Sequence, residues 1–237
     1  MRRKISEVPS TQYLEIESSP DEGENRNPGS PIQHSALSTK KMNILIVLAH
    51  PKPGSFNHAI ADTVRNTLEA AGHQVTLRDL HGEGFDPLFT PDELARGHVP
   101  TPEVREHADL VLNADAIVVV HPNWWAQAPA ILKGWLDRVL RAGEAYRFGT
   151  NEQGEGVIIG LLKAKAALVF TTSNTPREAE LRLYGDPLDN FWKACVWGFC
   201  GVPKVERRNF ESVIASTPEQ RAEWLQEVAR LTQAVIA

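Results

Sequence analysis

From Asn43 onward the chain alternates between short apolar runs and stretches where apolar residues recur every three or four positions. NILIVLA (43–49) is a nearly continuous apolar run, suited to a parallel strand buried on both faces. SFNHAIADTVRNTLEAAG (55–72) then carries Phe56, Ile60, Val64 and Leu68 at helical spacing and stops at Gly72. QVTLRDL (74–80) alternates as a second strand, and a long Pro- and Gly-bearing stretch follows to Pro102. PEVREHADLVLNA (102–114) predicts a helix, DAIVVVHP (115–122) a third buried strand, and PAILKGWLDRVLRAG (129–143) an amphipathic helix. RFGTNEQGEGVIIGLL (147–162) is an excursion with the look of a hairpin. KAALVFTTS (165–173) is a fourth strand, DPLDNFWKACVWGFCG (186–201) an apolar helix and KVERRNFESV (204–213) a fifth strand; PEQRAEWLQEVARLTQAVIA (218–237) is a closing helix.

Strands that alternate with helices imply right-handed crossovers and a parallel sheet covered on both faces. Five such strands predict an α/β, doubly wound, flavodoxin-like sheet in the order 2-1-3-4-5. Ligands in such sheets bind outside the carboxyl ends of the strands, so the residues after strands one, three and four are the candidate site.

Residues 1–41 break the pattern. SSPDEGENRNPGSPIQHSALSTKK is rich in Ser, Pro, Asn and charge and nearly empty of large apolar side chains, so it is expected to be a disordered extension before a domain spanning 42–237. The opening MRRKISEVPS is basic but is not followed by an apolar stretch, and acidic residues come soon after, so it reads neither as a secretory signal nor as a transit peptide. The net charge of -5 with no basic block makes nucleic acid an unsuitable main partner. No apolar run is long enough to span a bilayer. Two cysteines form no disulfide framework and join no metal-ligand spacing, which suits a reducing cytoplasm.

After strand one comes HPKPGSFN. Gly54 permits a tight turn, and Ser55 stands as helix N-cap with free N–H groups and the positive end of a helix dipole behind it. This is either an ordinary capped turn or a seat for phosphate; neither G-x-G-x-x-G nor the nucleotide P-loop is present. After strand three, HPNWWAQAPA puts two adjacent tryptophans in a loop, either as core or as an aromatic wall beside a planar ligand. After strand four, TTSNTP offers hydroxyls and backbone N–H groups, as a plain turn or as edge-on partners for a heterocycle. Together the three ends match what a flavin needs: a phosphate seat, a stacking surface, and donors near the ring's polar edge.

The stretches AHPKPGSFNHA, PNWWAQAPAILKGWLDRV, TTSN and YGDPLDNFWKACVWGFCGV resemble the NAD(P)H:quinone oxidoreductase branch of the flavodoxin-like superfamily. That branch includes the quinone reductases and the bacterial modulator-of-drug-activity and potassium-efflux ancillary proteins. The resemblance runs from about Met42 to the last helix, and PAILKGW followed by an acidic residue and Arg-Val is its most specific part. It implies that His50, Ser55, Phe56, Asn57 and Ala59 meet the flavin's phosphate and ribityl parts. Pro122, Asn123, Trp124 and Trp125 would line its ring, and Thr171, Thr172, Ser173 and Asn174 its polar edge. It implies FAD, with FMN as the alternative, NAD(P)H as co-substrate, a quinone or similar flat acceptor, two half-reactions in ping-pong order, and a homodimer with the site at the interface. Segment 191–199 is a candidate for the dimer surface, with a buried helix as the equal alternative.

Two departures from the family pattern stand out. Ser173 and Asn174 replace the usual two glycines after the threonine pair. The family's proton-relay histidine, just before Gly-Asp, is replaced by Tyr184, and TPREAELRL lacks the relay tyrosine; Tyr184 is therefore the candidate catalytic residue, either as proton donor or as a hydrogen-bond donor alone. His121 is expected to be a core-edge histidine bonded to backbone, His58 a surface residue, and Cys195 and Cys200 core residues. The rival reading is a non-catalytic flavoprotein carrier or regulatory subunit that docks on another protein.

Overall fold

The computed structural model describes residues 40–95 and 97–236. The extension expected over 1–41 falls, for residues 1–39, outside them. Five strands build one parallel sheet: β1 (Asn43–Leu48), β2 (Gln74–Asp79), β3 (Ala116–Pro122), β6 (Ala166–Thr172) and β7 (Lys204–Phe210), in the order β2-β1-β3-β6-β7. This is the predicted 2-1-3-4-5 order. The excursion is an antiparallel hairpin of β4 (Tyr146–Thr150) and β5 (Gly156–Gly160), outside the main sheet.

The period-two geometry of a strand divides the core into two layers. Ile44, Ile46, Leu48, Val118, Val120, Leu168 and Phe170 point to one face, where Ile60, Val64 and Leu68 of α1 (Phe56–Ala70) and Val228 of α6 (Pro218–Ile236) cover them. Leu45, Val47, Ile117, Val119 and Val169 point to the other face. Val104 and Val111 of α2 (Pro102–Asn113) pack there, with Leu132, Trp135, Leu136 and Val139 of α3 (Ala130–Val139). Both faces being covered is why the strands read as continuous apolar runs.

The sequence PAILKGWLDRV is built into this second layer. Trp135 is fully buried and donates to His107 Nδ1 at 3.0 Å. Gly134 packs so closely on Pro87 that no side chain would fit. Arg138 forms a buried ion pair with Glu93, Nε to Oε1 2.9 Å. Glu93 belongs to a 3₁₀ turn (Pro91–Leu94) within the long loop, closed by a capping box with Thr90.

Two elements differ from the expectation. Arg177–Tyr184 forms a helix, α4, that the apolar pattern did not announce, because only Glu180 of it is buried. The single helix expected over 186–201 is a short α5 (Pro187–Asn190) that continues into π-helical turns over Phe191–Gly198. Its Trp192 and Trp197 are both fully buried and stack with centroids 6.0 Å apart, so these two tryptophans are core, while Ala194, Cys195 and Gly198 between and beside them are exposed. Cys200 is buried, and burial pushes its thiol up to about 11. Cys195, expected in the core, is exposed, on the side of the helix away from the buried Trp192, Val196 and Trp197.

Candidate active site

The carboxyl ends of β1, β3 and β6 meet at a cavity of about 870 Å³. It lies at the point where the strand order reverses, between β1 and β3.

The loop after β1 forms the first wall. Gly54 has φ +67°, a conformation the tight turn before α1 requires. Ser55 is the N-cap by backbone geometry (φ −68°, ψ 168°), but its side chain makes no capping bond. The first-turn N–H groups of α1 therefore stay open toward the cavity end of the helix, where the dipole is positive. Ser55 Oγ instead lies 2.8 Å from His58 Nδ1, and His58 Nε2 is 3.4 Å from Asp79 Oδ2 at the end of β2. His58, expected at the surface, is half-buried and tied into the wall. His50 Nδ1 lies 3.1 Å from the Lys52 backbone N and 3.3 Å from the Lys52 backbone O, so it accepts or donates there according to the ring's tautomer. Burial of the ring lowers its pKa, chiefly by desolvation, and favours the neutral form. Asn57 is buried and its Nδ2 donates to Thr172 Oγ1 at 2.9 Å, which fastens the first wall to β6. Phe56 reaches both ways, lining the cavity and packing 5.7 Å from Trp224.

The loop after β3 forms the second wall with Pro122, Asn123, Trp124 and Trp125. Trp124 and Gln127 exchange both backbone hydrogen bonds, at 3.1 and 3.0 Å, around a two-residue turn. Trp125 and Ala126 at its centre both have φ 56°. Left-handed geometry at two consecutive non-glycine residues costs about 1–2 kcal/mol each. The turn lifts Trp125 out to 98% exposure, while Trp124 is 46% exposed, with its ring 6.4 Å from His50. His121, directly behind, is fully buried, with Nδ1 donating to Pro122 O at 2.8 Å and Nε2 accepting from Trp192 Nε1 at 3.0 Å. Desolvation drives its pKa down to about 4, so it is a neutral structural group.

The end of β6 and α4 form the third wall. Thr172, Ser173 and Asn174 line the cavity. Thr171 does not: it is fully buried, donates to Asn209 Oδ1 and accepts from Arg207 Nη1, both at 2.8 Å. Asn209 in turn donates to Ser173 Oγ at 3.0 Å. Ala59 likewise lies outside the lining, one turn into α1. Tyr184, the last residue of α4, lines the cavity half-exposed. Gly185 (φ +71°) then ends the helix, and Asp186 caps α5 and pairs with Arg207.

The cavity also includes residues that the sequence did not single out, chiefly Lys52, Thr175 and Glu180. Glu180 is buried one turn before Tyr184 and accepts from Asn123 Nδ2. Burial raises the pKa of its carboxyl and nearby Asp186 adds to this, against the Asn123 bond, which lowers it. The i, i+4 spacing of Glu180 and Tyr184 was the available signal, readable only once TPREAELRLY is known to be a helix. Asn123 Oδ1 is buried without a partner among the described residues. These residues also hold no group of three or more His, Cys, Asp or Glu placed to bind a metal.

An aromatic wall, open helix N–H groups and a polar third edge around one cavity suit a flat, polar-edged ligand that carries a phosphate. Comparison with known proteins points the same way. Residues 42–234 match the family model described as flavodoxin-like fold. The chain is 37% identical over 199 residues to an uncharacterised NAD(P)H oxidoreductase of Haemophilus influenzae, across 81% of this chain and 95% of that one. It is 28% identical over 205 residues to NAD(P)H dehydrogenase [quinone] 1 of Rattus norvegicus, covering 77% and 73%. Among solved structures, a protein of Streptococcus mutans superposes with TM-score 0.69 at 31% identity, covering 81% of this chain and all of that one.

Proposed function

Since this chain belongs to the flavodoxin-like NAD(P)H:quinone oxidoreductase family, we propose that it binds a flavin in the cavity and uses NAD(P)H to reduce quinones or similarly flat acceptors by two electrons. The observation that carries this is the convergence of three unlike walls on one cavity: open N–H groups at α1, the Trp124–Trp125 turn, and the polar end of β6. A bound flavin supplies the redox chemistry, as FAD or alternatively FMN.

The protein's own residues do the rest. The α1 end, with Ser55 and neutral His50, seats the phosphate. Trp124 gives the ring an apolar neighbour, and Asn57 locks the phosphate wall to β6 so that the two ends of the ligand are held in fixed register. Thr172, Ser173 and Asn174 present polar groups to the ring's edge, where charge develops on reduction. Glu180 holds a proton inside the cavity more readily than an ordinary carboxyl, and Tyr184 stands one turn away at the rim. The pair replaces the family's relay as the proton source for the acceptor. One cavity serves NAD(P)H and acceptor in turn, which gives ping-pong kinetics.

A homodimer completes the open side, because Trp125 at the mouth is almost wholly uncovered. No helix of the described residues is long and apolar enough to cross a membrane.

The test is an absorption spectrum of the purified protein followed by anaerobic NADH or NADPH. A yellow protein that bleaches and regains its colour with a quinone is the expected result. A yellow protein that does not bleach favours the carrier reading, and a colourless protein that no flavin restores overturns the proposal. Denaturation identifies the released flavin. In Glu180→Gln, turnover with quinone falls about 100-fold, within the usual range for general acid catalysis.

A further inference from the structure

Ser55, His58 and Asp79 form a chain that the flavin-binding motif does not explain. Ser55 Oγ is 2.8 Å from His58 Nδ1, and His58 Nε2 is 3.4 Å from Asp79 Oδ2. The second distance is too long for a tight hydrogen bond, so Nε2 faces the carboxylate loosely. An ionised carboxylate only accepts, so a neutral His58 must turn its single N–H, on Nε2, toward Asp79. Nδ1 is then an acceptor, and the Ser55 hydroxyl donates its hydrogen to it. In that state Ser55 shows the cavity only lone pairs, the wrong face for an anion. Its capping role is also unused, since its side chain makes no bond to the first turn of α1.

We propose that His58 takes up a proton when a phosphate group binds at the α1 end, and that this proton frees the Ser55 hydroxyl to donate to the phosphate. The inference rests on the flavin reading above and adds to it a coupling between anion binding and protonation. The proton comes from solvent and goes to His58 Nδ1. The new Nδ1–H donates to Ser55 Oγ, the Ser55 hydrogen turns to a phosphate oxygen, and Nε2–H stays on Asp79. One N–H bond forms, on His58 Nδ1, as a solvent or buffer acid gives up that proton; all other changes are in hydrogen bonds, and the added positive charge lies between two anions, Asp79 and the ligand. His58 is a positioning residue, acting through Ser55.

The charged and titratable surroundings of His58 are few. Asp79 faces it from β2. His50, from the loop after β1, has its ring centroid 6.2 Å away, with Lys52 close by on the same loop. His81 lies two residues beyond Asp79, its N–H bonded to Asp79 Oδ1 at 3.2 Å. One turn along α1, Asp62 is engaged by Arg65 at 2.7 Å. His50 and His81 are the other imidazoles near this end that could take up the proton.

The test is calorimetric titration of the flavin-stripped full chain with FAD, in two buffers of different ionisation enthalpy, over about pH 5 to 9, the range in which imidazoles titrate. FAD is the probe because its diphosphate has no group titrating near neutrality, whereas the FMN monoester does. The expected result is uptake of up to about one proton per FAD, with affinity falling as much as about tenfold per pH unit where uptake is complete. Riboflavin, which lacks phosphate, should bind with no uptake. His58→Gln and Ser55→Ala should each abolish uptake and flatten the pH profile. FAD binding with no proton uptake overturns the inference while leaving the flavin reading intact; no binding of FAD, FMN or riboflavin overturns that reading itself. Uptake that persists in His58→Gln assigns the proton to another group, His50 or His81, and uptake that persists in Ser55→Ala shows that the charge acts without the hydroxyl. Either result overturns the proposal.

Discussion

Two tryptophan pairs stand near the carboxyl end of β3, and they do opposite work. Trp192 and Trp197 are fully buried and stacked, and the Trp192 N–H is satisfied by His121. Trp124 and Trp125 stand on a turn whose backbone is strained, and Trp125 has almost no protein around it. Burying a large aromatic side chain stabilises a fold by several kcal/mol; exposing one beside a strained backbone stabilises nothing. The first pair is explained by the fold alone. The second is a cost to the fold that the two backbone hydrogen bonds between Trp124 and Gln127 hold in place, and the proposed flavin site gives it a use.

That comparison is open to experiment. Trp192→Ala should destabilise the protein by about 3–5 kcal/mol in urea unfolding, by leaving a cavity and stranding His121 Nε2. Equal stability of Trp192→Ala and Trp125→Ala would erase the distinction between the pairs.

Acid should act strongly on the buried side. His121 and His107 both have pKa values lowered to about 4, the dominant cause being burial, so the unfolded chain binds more protons than the folded one between about pH 4 and 6.5. Stability contributed by keeping them neutral is therefore present above about pH 6.5 and lost as pH falls toward 4, by about 3 kcal/mol for each histidine. Unfolding curves at pH 7 and pH 5 measure this directly; a flat profile would contradict the buried neutral assignment.

On the exposed side, Trp125→Ala should leave stability within about 0.5 kcal/mol of the parent. Flavin or acceptor affinity should drop about tenfold, read by fluorescence titration. The smallest effect is Ala126→Gly, which relieves one left-handed residue and should stabilise the turn by up to about 1 kcal/mol. If thermal unfolding shows it destabilised instead, the turn is held by packing and not merely tolerated.

The sheet was legible because each central strand is an apolar run, and a run buried on both faces needs helices on both sides. The site's location was legible for the same reason: the strand ends of a doubly wound sheet face one rim. The family's most specific stretch, PAILKGWLDRV, proved to serve the fold through Trp135, Gly134 and Arg138. α4 was not legible. Leu181 and Leu183 are exposed and Glu180 is its one buried residue, because it borders the cavity and not the core, so no apolar period marks it, and Glu180 was hidden with it. Thr171 and Thr172 are adjacent, yet alternation along β6 sends one to the Asn209–Arg207 network and the other to Asn57 and the cavity.

The order of the strands, the two apolar layers and the rim where ligands bind were thus set by periodicity and composition, which act through local geometry and the need to bury apolar surface. Which tryptophans are core, which threonine meets the cavity, and how His58 comes to stand between Ser55 and Asp79 were decided only when distant segments met. Those outcomes depend on distances and directions between residues far apart in the chain, and a linear pattern carries no information about them.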